Sequence, residues 1–476
     1  MRPIAFLALL VLPTAIGTAI GLPGCSSSSS DGPPSCSDGR CADGGGGIDD
    51  ASRDANADAA ASTIPWEPWI YLEQTARHET AWEVEPALDG GAIVIVRSSI
   101  GEEGTPRDYT IVRVEPNGKT RWRTPFSCAD SANSNGYALV SPGPNGEVDL
   151  VLRCSGSITL AGAAQPPGAW NLFRLRDADG TLAGSIKLDA DRGAFGDTKS
   201  MHGKIYFEFD VEDGAVVGGV RRAAGAMVGA FARDTGKLVF GVAAPGWQSA
   251  TMEVQPNGDV WSVGSFQGTL QLGDKSVTAS GTSDGLIARV TSDGRVATLR
   301  AVGGPLSTGS RDMVGRVTAG DDGSVYVTGA VSRGNSVGGD PIDDGAQTSA
   351  FFASYDAAGN HRWSKAHRGS DPTFLRGQHK VVLSFFEAPS ASNPDSSRKW
   401  LVFNEAGVLE RERTVGTGQG LHLYSGLRTF GGRLYFSGNI EYPPVTLFGR
   451  ALSFPNRGDA SISIRNHDAF AISQEP

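Results

Sequence analysis

Three features of the sequence predict an all-β fold. Glycine-containing turns of the hairpin kind punctuate the chain, short apolar-polar alternations flank them, and no long stretch carries a helical apolar period. One such turn recurs with its glycine at positions 90, 146, 203, 258 and 323, at gaps of 56, 57, 55 and 65 residues. A self-similar unit of this length with four strands in each copy is the signature of a β-propeller. The expected architecture is therefore seven four-stranded blades, closed by an N-terminal strand that pairs with the last blade. A pair of β-sandwiches is the competing reading, and the even recurrence of the unit weighs against it.

The clearest copy runs from Thr251 to Gly304. Asn257-Gly258 and Asp293-Gly294 supply the positive φ of tight turns between Met252 to Val254 and Val260 to Phe266, and between Leu286 to Val290 and Val296 to Ala301. The first turn recurs at Asp89-Gly90, Asn145-Gly146, His202-Gly203, Asp322-Gly323, near Gly377 to His379, and at Gly431-Gly432. The second recurs at Asn117-Gly118, Asp179-Gly180, Thr235-Gly236, Ala358-Gly359 and Ala406-Gly407. The last unit ends with Asp468 to Ile472 and no fourth strand follows, which leaves an open sheet edge. Open edges are covered or paired, and Trp69-Ile70-Tyr71-Leu72, ahead of the first unit, is the expected partner.

At 476 residues the chain is long enough for several domains, but one propeller from residue 64 to 476 accounts for it with no remainder. The net charge is −10, and Ser26 to Ile64 holds seven Asp against two Arg. The rest of the chain stays acidic and offers no basic stripe for a phosphate backbone, which argues against nucleic acid as a partner.

Met1-Arg2 precedes an apolar run from Ile4 to Ile20, broken by Pro13 and Gly17 and followed by small residues, which reads as a signal peptide over residues 1–24. Leu22-Pro23-Gly24-Cys25 resembles the bacterial lipobox, with Pro23 departing from the usual small residue. The resemblance implies that Cys25 is diacylated and becomes the new N-terminus. Ser26, where an Asp would signal inner-membrane retention, implies outer-membrane sorting. An ordinary secretory leader is the alternative. Residues 25–63 form a Ser, Gly, Asp and Ala tether that cannot bury a core. Lipidation of Cys25 leaves four of five cysteines. Cys36 and Cys41 lie close enough in the tether for a small loop. Cys128 ends one unit and Cys154 ends the second strand of the next, so neighbouring blades offer them a disulfide, with two free thiols as the alternative.

The sequence assigns no catalytic residue, cofactor site or metal site. Gly281-Thr282-Ser283-Asp284-Gly285 fits the G-x-S-x-G pattern, but a strand follows where a nucleophile elbow needs a helix. The seven histidines form no zinc-like spacing. Asp177-Ala178-Asp179-Gly180 and Asp321-Asp322-Gly323 look like calcium loops without the rest of the ligand series, and read as hairpin turns. Trp122, Phe240 and Trp363 in fourth strands, and Trp261, Tyr326 and Tyr435 in second strands, read as blade-to-blade packing.

Gly264 to Gly268, Leu272-Gly273, Gly281 to Gly285 and the Leu286 to Gly294 hairpin resemble the repeat of bacterial seven-bladed β-propeller lipoproteins, as does Asp468-Ala469-Phe470. The likeness is weak from Gly377 to Gly416, where the unit looks shortened. Ala232 to Phe240, and more loosely Glu115 to Trp122 and Asp356 to Trp363, are similar to repeats of quinoprotein dehydrogenases and of the outer-membrane assembly propeller lipoprotein. These resemblances imply a fold and an exported setting: a monomeric, lipid-anchored propeller that binds an unknown protein or glycan. An envelope-assembly factor is the second reading, and a hydrolase or quinoprotein-like oxidoreductase the third. The inserts from Ser332 to Ser349 and from Glu387 to Arg398, between second and third strands, are the expected contact surface.

Overall fold

A computed structural model describes residues 69–73, 78–99, 107–128, 137–154, 156–165, 169–305, 312–320, 322–343, 348–367, 370–377, 380–387 and 397–417, and the strands at 421–423, 428–430, 433–440, 445–447, 450–452 and 468–474. The signal-peptide and tether assignments, with Cys25, Cys36 and Cys41, lie outside the described residues.

The described chain is built of antiparallel strands. Seven sheets of four or more strands follow one another in sequence, and within each the strand order is up-and-down. The first comprises His78–Pro86, Ala92–Ser99, Arg107–Val114 and Thr120–Cys128. Tyr137–Gly143, Glu147–Arg153, Asn171–Arg176 and Leu182–Lys187 make the second. The third is Gly193–Met201, Lys204–Val211, Gly225–Ala232 and Leu238–Pro245. Trp247–Val254, Val260–Phe266, Asp284–Val290 and Val296–Val302 form the fourth, matching the unit read from the sequence. The fifth is Met313–Ala319, Val325–Ser332, Thr348–Tyr355 and His361–His367. The sixth, Ser370–Gly377, Lys380–Glu387, Ser397–Asn404 and Leu409–Thr417, has four full strands and is not shortened. Its sequence had drifted while its backbone had not.

In the seventh sheet Arg433–Ile440 pairs with Asp468–Gln474, and Trp69–Glu73 pairs with the latter, Ile70 opposite Ile472 and Leu72 opposite Phe470. The N-terminal strand thus supplies the missing fourth strand. First strands of successive sheets pack side by side, and those of the seventh sheet return to His78–Pro86 of the first, so the sheets close a ring with first strands innermost. Tyr435, fully buried, joins Val84, Val94 and Val112 of the first sheet in one cluster, and its hydroxyl donates to the Gly90 carbonyl at 3.0 Å. This β-propeller is therefore closed by the two chain ends.

Apolar alternation explains the packing between sheets. On Lys204–Val211, Ile205, Phe207 and Phe209 pack toward the second sheet with Trp170 and Phe195, while Tyr206 packs toward the fourth with Val260 and Val290. Strands buried on both faces in this way read as nearly continuous apolar runs.

A second contact fixes the second to sixth sheets against their predecessors. The second-turn glycine of one sheet sits on the outer strand of the sheet before it. Gly294 has φ +87°, and a Cβ there would meet the Phe240 side chain at 2.7 Å. Gly180 lies in the same way on Trp122, Gly359 on Thr298, and Gly407 on Trp363. The Trp122 indole donates to the Asp177 carbonyl at 2.7 Å and the Trp363 indole to the Glu405 carbonyl at 3.0 Å, both within the next sheet's turn. The periodic fourth-strand aromatics are seats for neighbouring turns.

Gly294→Ala combines a left-handed backbone, which costs an L-residue about 1–2 kcal/mol, with a clash against Phe240. Gly268 has φ +62° and open space around it, so Gly268→Ala carries the backbone cost alone. Chemical denaturation should show the first variant losing clearly more stability than the second; equal losses would refute the seating contact.

Candidate functional site

The inner ring carries the irregular backbone. A β-bulge interrupts the first strand at Ala81/Glu83, Phe195/Asp197, Ser249/Thr251, Val314/Arg316 and Ser370/Thr373, the first, third, fourth, fifth and sixth sheets. Bulges re-aim side chains and increase local twist. Polar residues flank these bulges, among them Glu83, Asp197 and Arg316.

Glu208 is the group that stands out there. Counting five residues past the first-turn glycine, the first, second, fourth and fifth sheets place Ile95, Val151, Val263 and Thr328 at this position, facing the following sheet. The third sheet places a carboxyl, 3 % exposed. Burial raises its pKa, the neighbouring Asp197 raises it further, and Asp210 adds to the rise. A hydrogen bond from the Ser249 hydroxyl and the charge of Arg316 act the other way. The outcome is a pKa pushed up to about 8, so the group holds a proton at neutral pH. Oε2 has no hydrogen-bond partner, and Gly196, in the bulge opposite, would bring a Cβ to 3.0 Å from Oε1. Burial also raises the pKa of Asp210. The arrangement can store a proton or donate a hydrogen bond at the inner edge of the seam. Nothing in the chain pattern marked Glu208 until the turn glycines were aligned, and only the fold shows that its position faces inward.

The sequence candidates fall elsewhere. Cys128 and Cys154 are joined by a disulfide, with Cα atoms 5.7 Å apart, bridging the outer strand of the first sheet to the second strand of the second. Closing 26 residues, it contributes about 3–4 kcal/mol by chain entropy. Ser283 is buried ahead of the strand Asp284–Val290, with no helix after it. Asp177 is taken up by Arg113 and Arg121, Asp179 by Thr181, and Asp322 by Ser324 and Arg362. These Asp-Gly turns are structural. His361 packs edge-on against Tyr355, and burial and Arg300 lower its pKa.

Second-to-third-strand inserts lie at the same end of each sheet as the connections to the next sheet, because the strands alternate in direction. Several are short hairpins: Ile158–Leu160 with Ala163–Gln165, Val216–Val217 with Val220–Arg221, Thr269–Leu272 with Lys275–Thr278, and Val445–Leu447 with Arg450–Leu452. They reach back toward the preceding sheet. Ile158–Leu160 pairs with Phe126 to Cys128, beside the disulfide, and Thr446-Leu447 pairs with Gly416-Thr417. In the fifth sheet Ser336 bridges Gly303 of the fourth. The described part of the expected contact surface, 333–343, is tied down this way; most of the second insert, 388–396, lies outside the described residues.

No protein-family model and no curated protein matches the chain. Among solved structures it is similar to the Dos1 propeller (10 % identity, TM-score 0.42, covering 87 % of this chain and 96 % of that one). The WD40 propeller domain of Doa1 gives 10 % identity and a TM-score of 0.40 over 86 % of this chain and 98 % of that one. The quinohemoprotein alcohol dehydrogenase of Comamonas testosteroni gives 11 % and 0.37 over 88 % and 78 %. Superpositions this loose decide nothing about the chain, whose architecture stands on its own sheets.

Because Glu208 is protonated in the folded protein and ionised when unfolded, its contribution to stability falls as pH rises from about 4.5 to about 8. Glu208→Val, with the residue of the second sheet, should melt higher than the parent at pH 8, and the gap should shrink toward pH 4.5. A variant that melts lower at pH 8, or a gap that ignores pH, would show the assignment to be wrong.

Proposed function

We propose that the chain is a binding scaffold of the bacterial cell envelope, held at the outer membrane by a lipid on Cys25 and engaging a protein or glycan through the insert-bearing end of its ring. The single observation behind this reading is the construction of that end. Hairpins and bridges fasten the inserts of the second, fifth and seventh sheets to their predecessors, which braces that end of the ring. Rigid presentation lowers the entropy lost on binding.

In the fifth sheet the insert is held from beneath by Asp312, and the Tyr355 hydroxyl donates to the Val337 carbonyl. Arg333 and Asp343 pair above it at 3.1 Å, with side chains 57 % and 48 % exposed. Charge is thus offered to solvent on a fixed backbone, which suits recognition of a polar partner. The seven-sheet ring and the Ser-rich tether fit a module displayed at a distance from the membrane.

Two experiments test the two halves. Replacing Arg333 and Asp343 by alanine and residues 388–396 by a short turn should abolish a specific crosslinked species in pull-downs from intact envelopes while leaving the melt nearly unchanged; a species that survives removes the rim from the reading. Cys25→Ala should move the protein from the membrane pellet to the soluble fraction, and retention in the pellet would place the anchor elsewhere.

A further inference from the structure

We propose that the seam between the fourth and fifth sheets is a calcium site, formed by Asp284, Asp312 and Asn335 around Gly303-Gly304. Asp284 opens the third strand of the fourth sheet, Asp312 directly precedes the first strand of the fifth, and Asn335 lies in the fifth sheet's insert. The three are 1 %, 0 % and 2 % exposed.

Both carboxylates converge on Gly303. The position its Cβ would take is 2.6 Å from Asp312 Oδ2 and 3.0 Å from Asp284 Oδ1. Beside it, the Cβ position of Gly304 is 2.7 Å from Asn335 Oδ1. That amide oxygen is buried and accepts no hydrogen bond. Two main-chain carbonyls lie against the same residues: that of Gly304 accepts from Asn335 Nδ2 at 3.1 Å, and that of Ser283 accepts from the Asp312 amide at 3.2 Å.

The carboxylates are hydrogen-bonded unevenly. Asp312 Oδ1 accepts from the Ser332 amide and hydroxyl at 2.6 and 2.7 Å. Asp284 Oδ2 accepts from the Ser280 amide and hydroxyl, both at 3.0 Å. Of the oxygens nearest Gly303, Asp284 Oδ1 accepts only from the Gly281 amide at 3.3 Å, whereas Asp312 Oδ2 accepts from the Gly304 amide at 3.3 Å and from Asn335 Nδ2 at 2.7 Å.

Every donor to either carboxylate is neutral, and neither has an ion-pair partner among the described residues. Arg333, close in sequence, is paired with Asp343. Two carboxyl groups thus share a buried seam with no counter-charge among the described residues, an arrangement that is costly unless a cation completes it. Two carboxylates, an amide oxygen and main-chain carbonyls form a hard, all-oxygen set of irregular geometry. Calcium accepts such sets, whereas magnesium demands near-octahedral order and retains water, and zinc or copper would call for His or Cys. Two acidic ligands suffice with neutral oxygens, so no cluster of three acidic, His or Cys residues is needed. The bound ion would fasten the fifth sheet's insert to the fourth sheet, and this holds whether or not the rim binds a partner.

The test uses the full chain freed of divalent ions with a chelator. Millimolar calcium should raise the melting temperature by about 3 °C or more, and magnesium should not. The Asp284→Asn, Asp312→Asn double variant should lose the calcium shift. Should that variant fail to fold, terbium added to the parent protein should give luminescence sensitised by tryptophan or tyrosine and displaced by calcium. Trp261 and Tyr355 belong to the same seam cluster. No calcium shift, an equal magnesium shift, a shift that survives in the double variant, or absence of displaceable terbium luminescence would each overturn the assignment.

Discussion

The seating of a sheet's second turn on the outer strand of the sheet before it, made by the second to sixth sheets, is the constraint on which the ring depends. A turn glycine with positive φ removes the side chain that would hold the two apart, and an outer-strand residue fills the space. Backbone approach at this point sets how far each sheet lies from its neighbour. Repetition of the same contact turns a set of similar sheets into a closed ring. Gly180 on Trp122 and Gly407 on Trp363 are versions of one joint, and in each the indole also donates to the turn it supports.

Around that joint the seams are filled in two ways. Most is apolar, in clusters that run from one sheet to the next, such as Trp261, Ile287 and Tyr355 between the fourth and fifth sheets. The remainder is polar and mostly satisfied. Arg233 spans the second and third sheets by holding Asp149 through both Nε and Nη2, with Glu147 alongside, and Ser200 donates to the same Asp149. Buried charge is tolerated there because donor and acceptor meet in good geometry. Glu208 lacks such a counter-group at hydrogen-bonding distance and answers by keeping its proton. The Asp284 and Asp312 pair has neutral donors only, which sets that seam apart from the Arg-bridged one.

The inserts show how a repeated scaffold acquires individual features. Sheets two, three, four and seven each add a hairpin between their second and third strands, while the fifth adds a longer, bridged segment. Several of these also cross a seam, so they reinforce the ring while varying its surface. The Cys128 to Cys154 disulfide stands at the foot of one such crossing, covalently backing the strand pairing of Cys128 with Ile158.

The fold was legible in the sequence because its information is local. Asn-Gly and Asp-Gly turns, alternating strands and a spacing near 56 residues depend only on neighbouring residues, and even the closing strand at Trp69 could be read as the complement of an open edge. The sixth sheet reads as short in the sequence because its first turn, Gly377 to His379, lacks the Asn-Gly or Asp-Gly pair, while the ring still demanded four strands. The sites were not legible, since each is assembled across seams from residues far apart in the chain. Glu208 meets Ser249 and Arg316 from two other sheets, and Asp284 meets Asp312 and Asn335 only because a glycine pair lets the chain pass between them. Local patterning thus determined which sheets form and in what order. Tertiary packing alone decided which polar groups lose water and which charges they face, because burial and electrostatic neighbourhood are properties of the assembled ring.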